Sequence, residues 1–493
     1  MRKKAHRWVL TVALVAVALA LVTLDGRGLR GAGDDALEAR IARVEAGLRP
    51  AVRVAGHPEV TWTLAERMEH YNVPGVSVAV LDHGRIAWAR GYGVQEKGGA
   101  AVTTEALFQA ASISKPVAAL GALRLVEQGR LALDENVNAK LVSWKVPPHE
   151  FHGQSVTLRG LLTHSAGLTV HGFRGYAVDE PVPTLTQILD GVKPANSAPI
   201  RVDIAPGTRW RYSGGGYTVL QQLIEDVTGQ PFADYMREAV LAPLGMHAST
   251  YEQPLPEPLR PRAATGHRVE GRAVRGKWHR YPEQAAAGLW TTPSDLLRFA
   301  IELQEAYAGR SNTVISQQMA QQMLSVQLEN WGLGLQLTGA GDTLRFSHSG
   351  GNEGFRCFLT AYATRGQGAA VMTNSDAGAA LYPEILRSIA AEYNWPDFQP
   401  ETKQLLPLPA AQLRRFAGRY RAAQGPDLLV KFKGGRLTME PAGEPPVELL
   451  PESEAQFFTW DGTAVRFSLD SRGRVTNLVV QRGGSSWTAR KIR

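Results

Sequence analysis

The sequence predicts an α+β fold followed by a small β-barrel-like domain. Three observations carry this. Strand patterns stand at both ends of a long first part, with helices and loops between. One sheet must therefore be assembled from distant segments and covered by helices. Near Trp395 the composition turns to prolines, then to short strands and glycine turns. The chain has 493 residues, 44% hydrophobic and 20% charged, enough to bury a large core without disulfides or metals. Its single cysteine, Cys357, excludes an intramolecular disulfide and a thiolate metal cage. Set among Phe355, Phe358 and Leu359, it reads as a small buried hydrophobe.

At the N-terminus Arg2, Lys3, Lys4 and Arg7 precede a charge-free, largely apolar run from Trp8 to Leu24. Basic residues stay on the cytoplasmic side while an apolar run enters the bilayer. Residues 1–24 are therefore expected to be a signal peptide or a membrane anchor. The run has 17 residues, short of the roughly 20 of a spanning helix. The protein is expected to be exported, either periplasmic or tethered to the inner membrane by residues 8–24. The net charge of +8 falls to +4 without residues 1–24. Half of the excess is thus targeting signal, and no nucleic-acid partner is expected.

Residues 25–57 read as a linker with a leading helical pattern from Leu37 to Leu48. Val76, Val78 and Val80 alternate with Ser77 and Ala79, Asp82-His83-Gly84 turns the chain, and Ile86, Trp88 and Tyr92 return it. A helix is expected from Pro116 to Gln128, stopped by Gly129. Arg356 to Ala363 and Ala369 to Asn374 form a second hairpin around Gly366-Gln367-Gly368. Residues 58–395 make one catalytic domain on this reading. Pro396, Pro400, Pro407 and Pro409 punctuate a linker over residues 396–409. Residues 410–493 form the small β domain, with hairpins at Gly434-Gly435 and Arg472-Gly473.

Several short motifs fail on their context. Gly271 to Lys277 spells a phosphate loop, but Trp278 replaces the magnesium-holding hydroxyl and no apolar strand leads in. His149 and His152 are too close for a zinc helix, so no metal or other cofactor is expected. No G-x-S-x-G elbow occurs. What remains is Ser112-Ile113-Ser114-Lys115 at the entry to the helix. A serine hydroxyl is a weak nucleophile until a base takes its proton. A lysine three residues on shares its helix face and, once desolvated, can serve as that base. Alone, Ser112 could be a helix cap and the pattern a chance match. Tyr212-Ser213-Gly214 follows about a hundred residues on, offering a second proton carrier. His348-Ser349-Gly350-Gly351 comes next, where glycines let a substrate carbonyl approach closely.

The order Ser-x-x-Lys, Tyr-Ser-x, His-x-Gly resembles the serine β-lactamase and penicillin-binding superfamily. Within it the chain is most similar to class C β-lactamases and their esterase, D-aminopeptidase and DD-peptidase relatives. Leu161 to Leu168, Pro243-Leu244-Gly245-Met246 and Ala287-Gly288-Leu289 fit as well. The β domain looks like the lipocalin-like domain that trails some of these hydrolases. The resemblance implies an antiparallel sheet flanked by helices, with an all-helical subdomain. It implies Ser112 as acylated nucleophile, Lys115 and Tyr212 in proton transfer, and the backbone of Ser112 and Gly351 as oxyanion hole, with Ser213, His348 and Gly350 on the substrate side. His348 stands where many β-lactamases carry lysine and Gly214 where class C enzymes carry asparagine. Both departures point away from a specialised lactamase, and Gly214-Gly215-Gly216 is expected to leave an open wall. His164 is expected to be structural. The substrate is expected to be a small ester, amide or peptide. A DD-peptidase or D-aminopeptidase, and a β-lactam-binding sensor without turnover, remain as alternatives.

Overall fold

The computed structural model describes residues 32–423, 426–441, 446–482 and 485–492. The expected signal peptide or anchor at residues 1–24 lies outside them. The central sheet is assembled from the two ends of the first part. Its strands are β2 (Gly75–Asp82), β3 (Arg85–Gly93), β6 (Gln336–Thr338), β7 (Arg345–Asn352), β8 (Phe355–Tyr362) and β9 (Gly368–Thr373). They lie in the order β3-β2-β9-β8-β7-β6, every pair antiparallel.

Side chains alternate across a strand, so each strand of this sheet feeds two cores. Val76, Val78 and Val80 pack with helices α1 (Ala32–Ala46) and α6 (Gly378–Glu392), while Ala79 and Leu81 join the larger core on the other face. That larger core holds α2 (Ser114–Glu127), α3 (Gly214–Thr228) and α5 (Pro293–Tyr307). The leading helix begins earlier than its apolar pattern, because Asp34 and Asp35 suit a helix N-terminus. Between β4 (Phe108–Gln109) and β5 (Trp290–Thr291) the described chain is helices and loops, which form the helical subdomain.

Residues 396–409, expected to be a linker, carry a short strand. β10 (Glu401–Lys403) pairs in parallel with β1 (Val52–Val54), from Val52 opposite Glu401 to Val54 opposite Lys403. Val52 and Val54 alternate inward on one side of Arg53 and pack on Phe458 of the last domain. The proline pattern reads as a linker because each strand is too short to show alternation by itself.

The last domain is a closed barrel of eight strands, each paired to its sequence neighbour. They are β11 (Gly418–Ala422), β12 (Leu428–Lys433), β13 (Arg436–Pro441), β14 (Val447–Pro451), β15 (Gln456–Phe458), β16 (Ala464–Leu469), β17 (Val475–Arg482) and β18 (Ser485–Ile492). β11 closes on β18. Gly434 and Gly435 both have positive φ (60° and 81°), the geometry a two-residue hairpin between right-twisted strands demands. The interior is filled. Phe416, Tyr420, Phe457 and Phe467 touch ring to ring, Phe416 and Phe467 at 4.5 Å, with Leu437, Met439 and Leu478 around them.

Candidate active site

The chain reaches Ser112 through a strained corner. β4 ends at Gln109, and Ala111 adopts φ +50°, a left-handed conformation rare outside glycine. A 3-10 turn over Ala111–Ile113 then runs into α2 at Ser114. Pro116 is tolerated because the amides of a helix's first turn have no intrahelical partner. The corner leaves Ser112 partly exposed between buried neighbours. Ser114 pins it from behind: its hydroxyl donates to the Ala111 carbonyl at 2.5 Å and accepts from the Leu289 amide at 3.0 Å.

Lys115 is 2% exposed, and its Nζ donates to Ser112 Oγ at 3.0 Å and to the Ala286 carbonyl at 2.7 Å. Among the described residues no carboxylate pairs with it. Desolvation pulls its pKa from 10.5 down to about 7. The ammonium lies 4.9 Å from the centre of the Tyr212 ring. Burial pushes the phenol well above its ordinary range, so Tyr212 is protonated at neutral pH. Between them Lys115 is the group able to accept a proton, and Tyr212 the one able to pass it on.

Tyr212 is held by rings. His164 lies 4.2 Å away and His171 4.9 Å, with Trp331 and His348 at 6.1 and 6.2 Å. His164, expected to be structural, has φ +59° and accepts at Nδ1 from the Ser213 amide at 3.1 Å. That contact orients the backbone next to Tyr212, and burial keeps the imidazole neutral.

β7 forms the opposite wall. His348, Gly350 and Asn352 share a face with the buried Phe346. His348 is 4% exposed, and its Nδ1–H donates to the Ser349 carbonyl at 2.6 Å. Burial, then the nearby charge of Lys115, lowers its pKa to about 3. Its Nε2 is therefore an acceptor, buried without a partner among the described residues. Gly350 is required by contact: a Cβ there would lie 2.2 Å from the Ala110 carbonyl. The close approach brings β7 against the corner that carries Ser112. Gly351 is exposed beside the Arg356 side chain.

Two expected substrate-side features sit elsewhere. Ser213 is the N-cap of α3: its hydroxyl donates to the Thr169 carbonyl and accepts from the Gly216 amide, both at 2.9 Å. Gly214-Gly215-Gly216 does not leave an open wall. It is the buried first turn of α3, where a Cβ on Gly215 would lie 2.5 Å from the Thr169 carbonyl. Gly214 and Gly215 serve close packing of the 169–173 segment.

The structure also shows residues with no motif to flag them. Asn352 donates to Gln109 at 2.9 Å and to the Ala287 carbonyl at 3.0 Å, tying β7, β4 and α4 (Gln284–Ala287) together around Ser112 and Lys115. Its only signal was its place two residues beyond Gly350 on the same strand face. Glu283 precedes α4 and is fully buried, with neither carboxyl oxygen partnered among the described residues. Burial raises its pKa from 4.5 to about 8. The folded chain keeps this proton while the unfolded chain loses it near pH 4.5, so stability falls as pH rises from 4.5 to 8. Glu283→Gln is expected to raise the thermal midpoint at pH 8, by on the order of a few kcal/mol of stability, and to leave it unchanged near pH 4. Thermal unfolding at the two pH values checks this, and an equal shift at both would contradict it. Among the described residues no group of His, Cys, Asp and Glu is placed to hold a metal ion.

The family model described as "Beta-lactamase" matches residues 61–393, and a "Domain of unknown function (DUF3471)" matches residues 402–491. Penicillin-binding protein 4 of Amycolatopsis lactamdurans is 30% identical over 350 residues, covering 66% of this chain and 87% of its own. Esterase EstB of Burkholderia gladioli is 32% identical over 273 residues, covering 48% of this chain and 66% of its own. An octameric penicillin-binding protein homologue from Pyrococcus abyssi shares the fold with a TM-score of 0.60 at 23% identity, covering 86% of this chain and 98% of its own. The family model spans most of the chain, including the buried lysine, the tyrosine and the glycine-rich strand around Ser112, and the chain belongs to the β-lactamase family of serine hydrolases.

Proposed function

We propose that the protein is an exported hydrolase that cleaves a small ester or amide through an acyl-enzyme on Ser112. The observation that carries this is the Lys115 amine, uncharged in part near pH 7 and 3.0 Å from Ser112 Oγ. Lys115 takes the proton of Ser112 as Oγ bonds to the substrate carbonyl carbon. The backbone N–H groups of Ser112 and Gly351 receive the oxyanion. Tyr212 passes a proton to the departing alcohol or amine as its bond to carbon breaks. Water then attacks the acyl-enzyme, its proton returns through the same pair, and Ser112 is restored.

The neutral His348 supports an uncharged substrate. A substrate carboxylate beside it would meet an acceptor nitrogen where a lysine would offer a cation. This favours an ester or simple amide over a β-lactam or a peptide ending in a carboxylate. Residues 8–24 support export, as signal or anchor.

Mass spectrometry after incubation with a fluorophosphonate, and separately with a penicillin, tests the reading. A fluorophosphonate adduct on Ser112 and fast turnover of a short-chain ester are expected. A long-lived penicillin adduct without product would favour the sensor or peptidase. No adduct with either reagent would rule out an acyl-enzyme.

A further inference from the structure

The barrel does not act as a ligand cup, because aromatic and aliphatic side chains fill it. Its outer surface carries the unusual feature. Residues 410–493 contain fourteen Lys or Arg and eight Asp or Glu, a net +6 in a chain whose total is +8. With the four N-terminal cations set aside, all of the remaining positive excess is on the barrel.

The charge is gathered on one wall. Arg419 and Arg421 lie two apart on β11, both exposed, and so share its outer face. Arg421 stands directly opposite Arg490 of β18. Like charges in that position destabilise a sheet, so packing does not explain them. Arg415 follows α7 (Ala410–Arg414), and its carbonyl accepts from the Lys491 amine of β18 at 2.8 Å, which sets it beside this wall. Arg421 reaches Asp427 at 3.8 Å, but Arg414, Arg415, Arg419 and Arg490 have no acidic partner among the described residues. Elsewhere on the barrel Lys431 pairs with Glu440, Arg436 with Glu448, Arg474 with Asp470 and Arg482 with Asp461, while Lys433, Arg466 and Arg472 stand singly, without an acidic partner among the described residues.

This wall also faces away from the catalytic domain. The barrel is seated on β1 and β10 through Leu450 of β14 and Phe458 of β15. In a closed ring of eight strands, β14 and β15 lie across from β11 and β18. The arginines are therefore free to meet a large surface.

We infer that the β11–β18 wall of the barrel docks on an anionic phospholipid bilayer. The guanidinium groups complement lipid phosphates, each worth roughly a fivefold gain in affinity near such a surface. The sequence places a bilayer within reach. Only residues 25–31 separate the apolar run from α1, a span of at most about 25 Å.

Vesicle co-sedimentation of the chain from residue 25 onward, which keeps every described element, isolates the wall from the apolar run. Binding to phosphatidylcholine vesicles containing phosphatidylglycerol is expected, falling with added salt, with little binding to phosphatidylcholine alone. Arg415→Gln/Arg419→Gln/Arg490→Gln is expected to weaken binding about a hundredfold. Arg466→Gln/Arg472→Gln/Arg474→Gln removes the same charge from the β16–β17 side and is expected to change it far less. Thermal midpoints of both variants verify folding. Failure to bind phosphatidylglycerol vesicles overturns the inference. So does an equal loss in the two triple variants, which would mean net charge alone, or binding to heparin without binding to vesicles, which would mean a soluble polyanion.

Discussion

Ser112→Ala is expected to lower ester hydrolysis by about three orders of magnitude or more, the cost of losing one member of a catalytic unit. In the proposed mechanism the hydroxyl is the atom that both proton carriers address: Lys115 Nζ lies 3.0 Å from it, and the Tyr212 ring lies 4.9 Å from that amine. Fluorophosphonate labelling should vanish with it. Stability should barely move, because Ser112 is partly exposed and Lys115 keeps the Ala286 carbonyl as acceptor. Thermal unfolding beside the kinetic assay separates the two effects. A variant that retains more than about a hundredth of wild-type turnover would remove Ser112 from the mechanism.

Lys115→Met should move activity and stability in opposite directions. Methionine fills the space of the lysine stem but accepts no proton, so acylation should fall by about a thousandfold. The amine is fully buried without a carboxylate partner among the described residues, and its folded pKa of about 7 lies below the unfolded 10.5. Below pH 7 the fold bears the full cost of that buried charge. Between 7 and 10.5 the unfolded chain holds the extra proton, so wild-type stability rises with pH. The methionine variant should therefore be more stable at pH 7, by on the order of a few kcal/mol, with the gap closing toward pH 10.5. The same pKa shapes the wild-type rate. Acylation should rise about tenfold per pH unit below about 7 and level off above it. A pH-independent rate between pH 5 and 7, or a less stable methionine variant at pH 7, would contradict the role given to Lys115.

Both expectations rest on a lysine that sequence spacing identified and the fold then discharged. Ser112 and Lys115 sit one helical turn apart, so their contact is local and legible in four letters. The hairpins at Asp82-His83-Gly84 and Gly434-Gly435 were equally legible, because turn chemistry and two-residue alternation operate within a few residues. The same holds for Val76, Val78 and Val80, whose alternation sends them to one core.

Other features had no local signature. Gly214-Gly215-Gly216 looked like an open wall, and the structure makes it a packed helix turn, since what surrounds a glycine comes from distant segments. Ser213 reads the same in sequence whether it meets substrate or caps a helix. Asn352 gains meaning only because Gln109 and Ala287, distant in sequence, converge on it.

The sequence by itself offered the candidate reagents: a serine, a lysine one helical turn on, a tyrosine and a glycine-rich strand, in an order that resembles the superfamily's. Only the tertiary structure decided their protonation states. Burial lowers Lys115 and His348 and raises Tyr212 and Glu283, and burial is made by chain segments hundreds of residues apart. Likewise the sequence counts the barrel's positive charge, while closure of β11 on β18 sets Arg421 against Arg490 and gathers that charge on one wall.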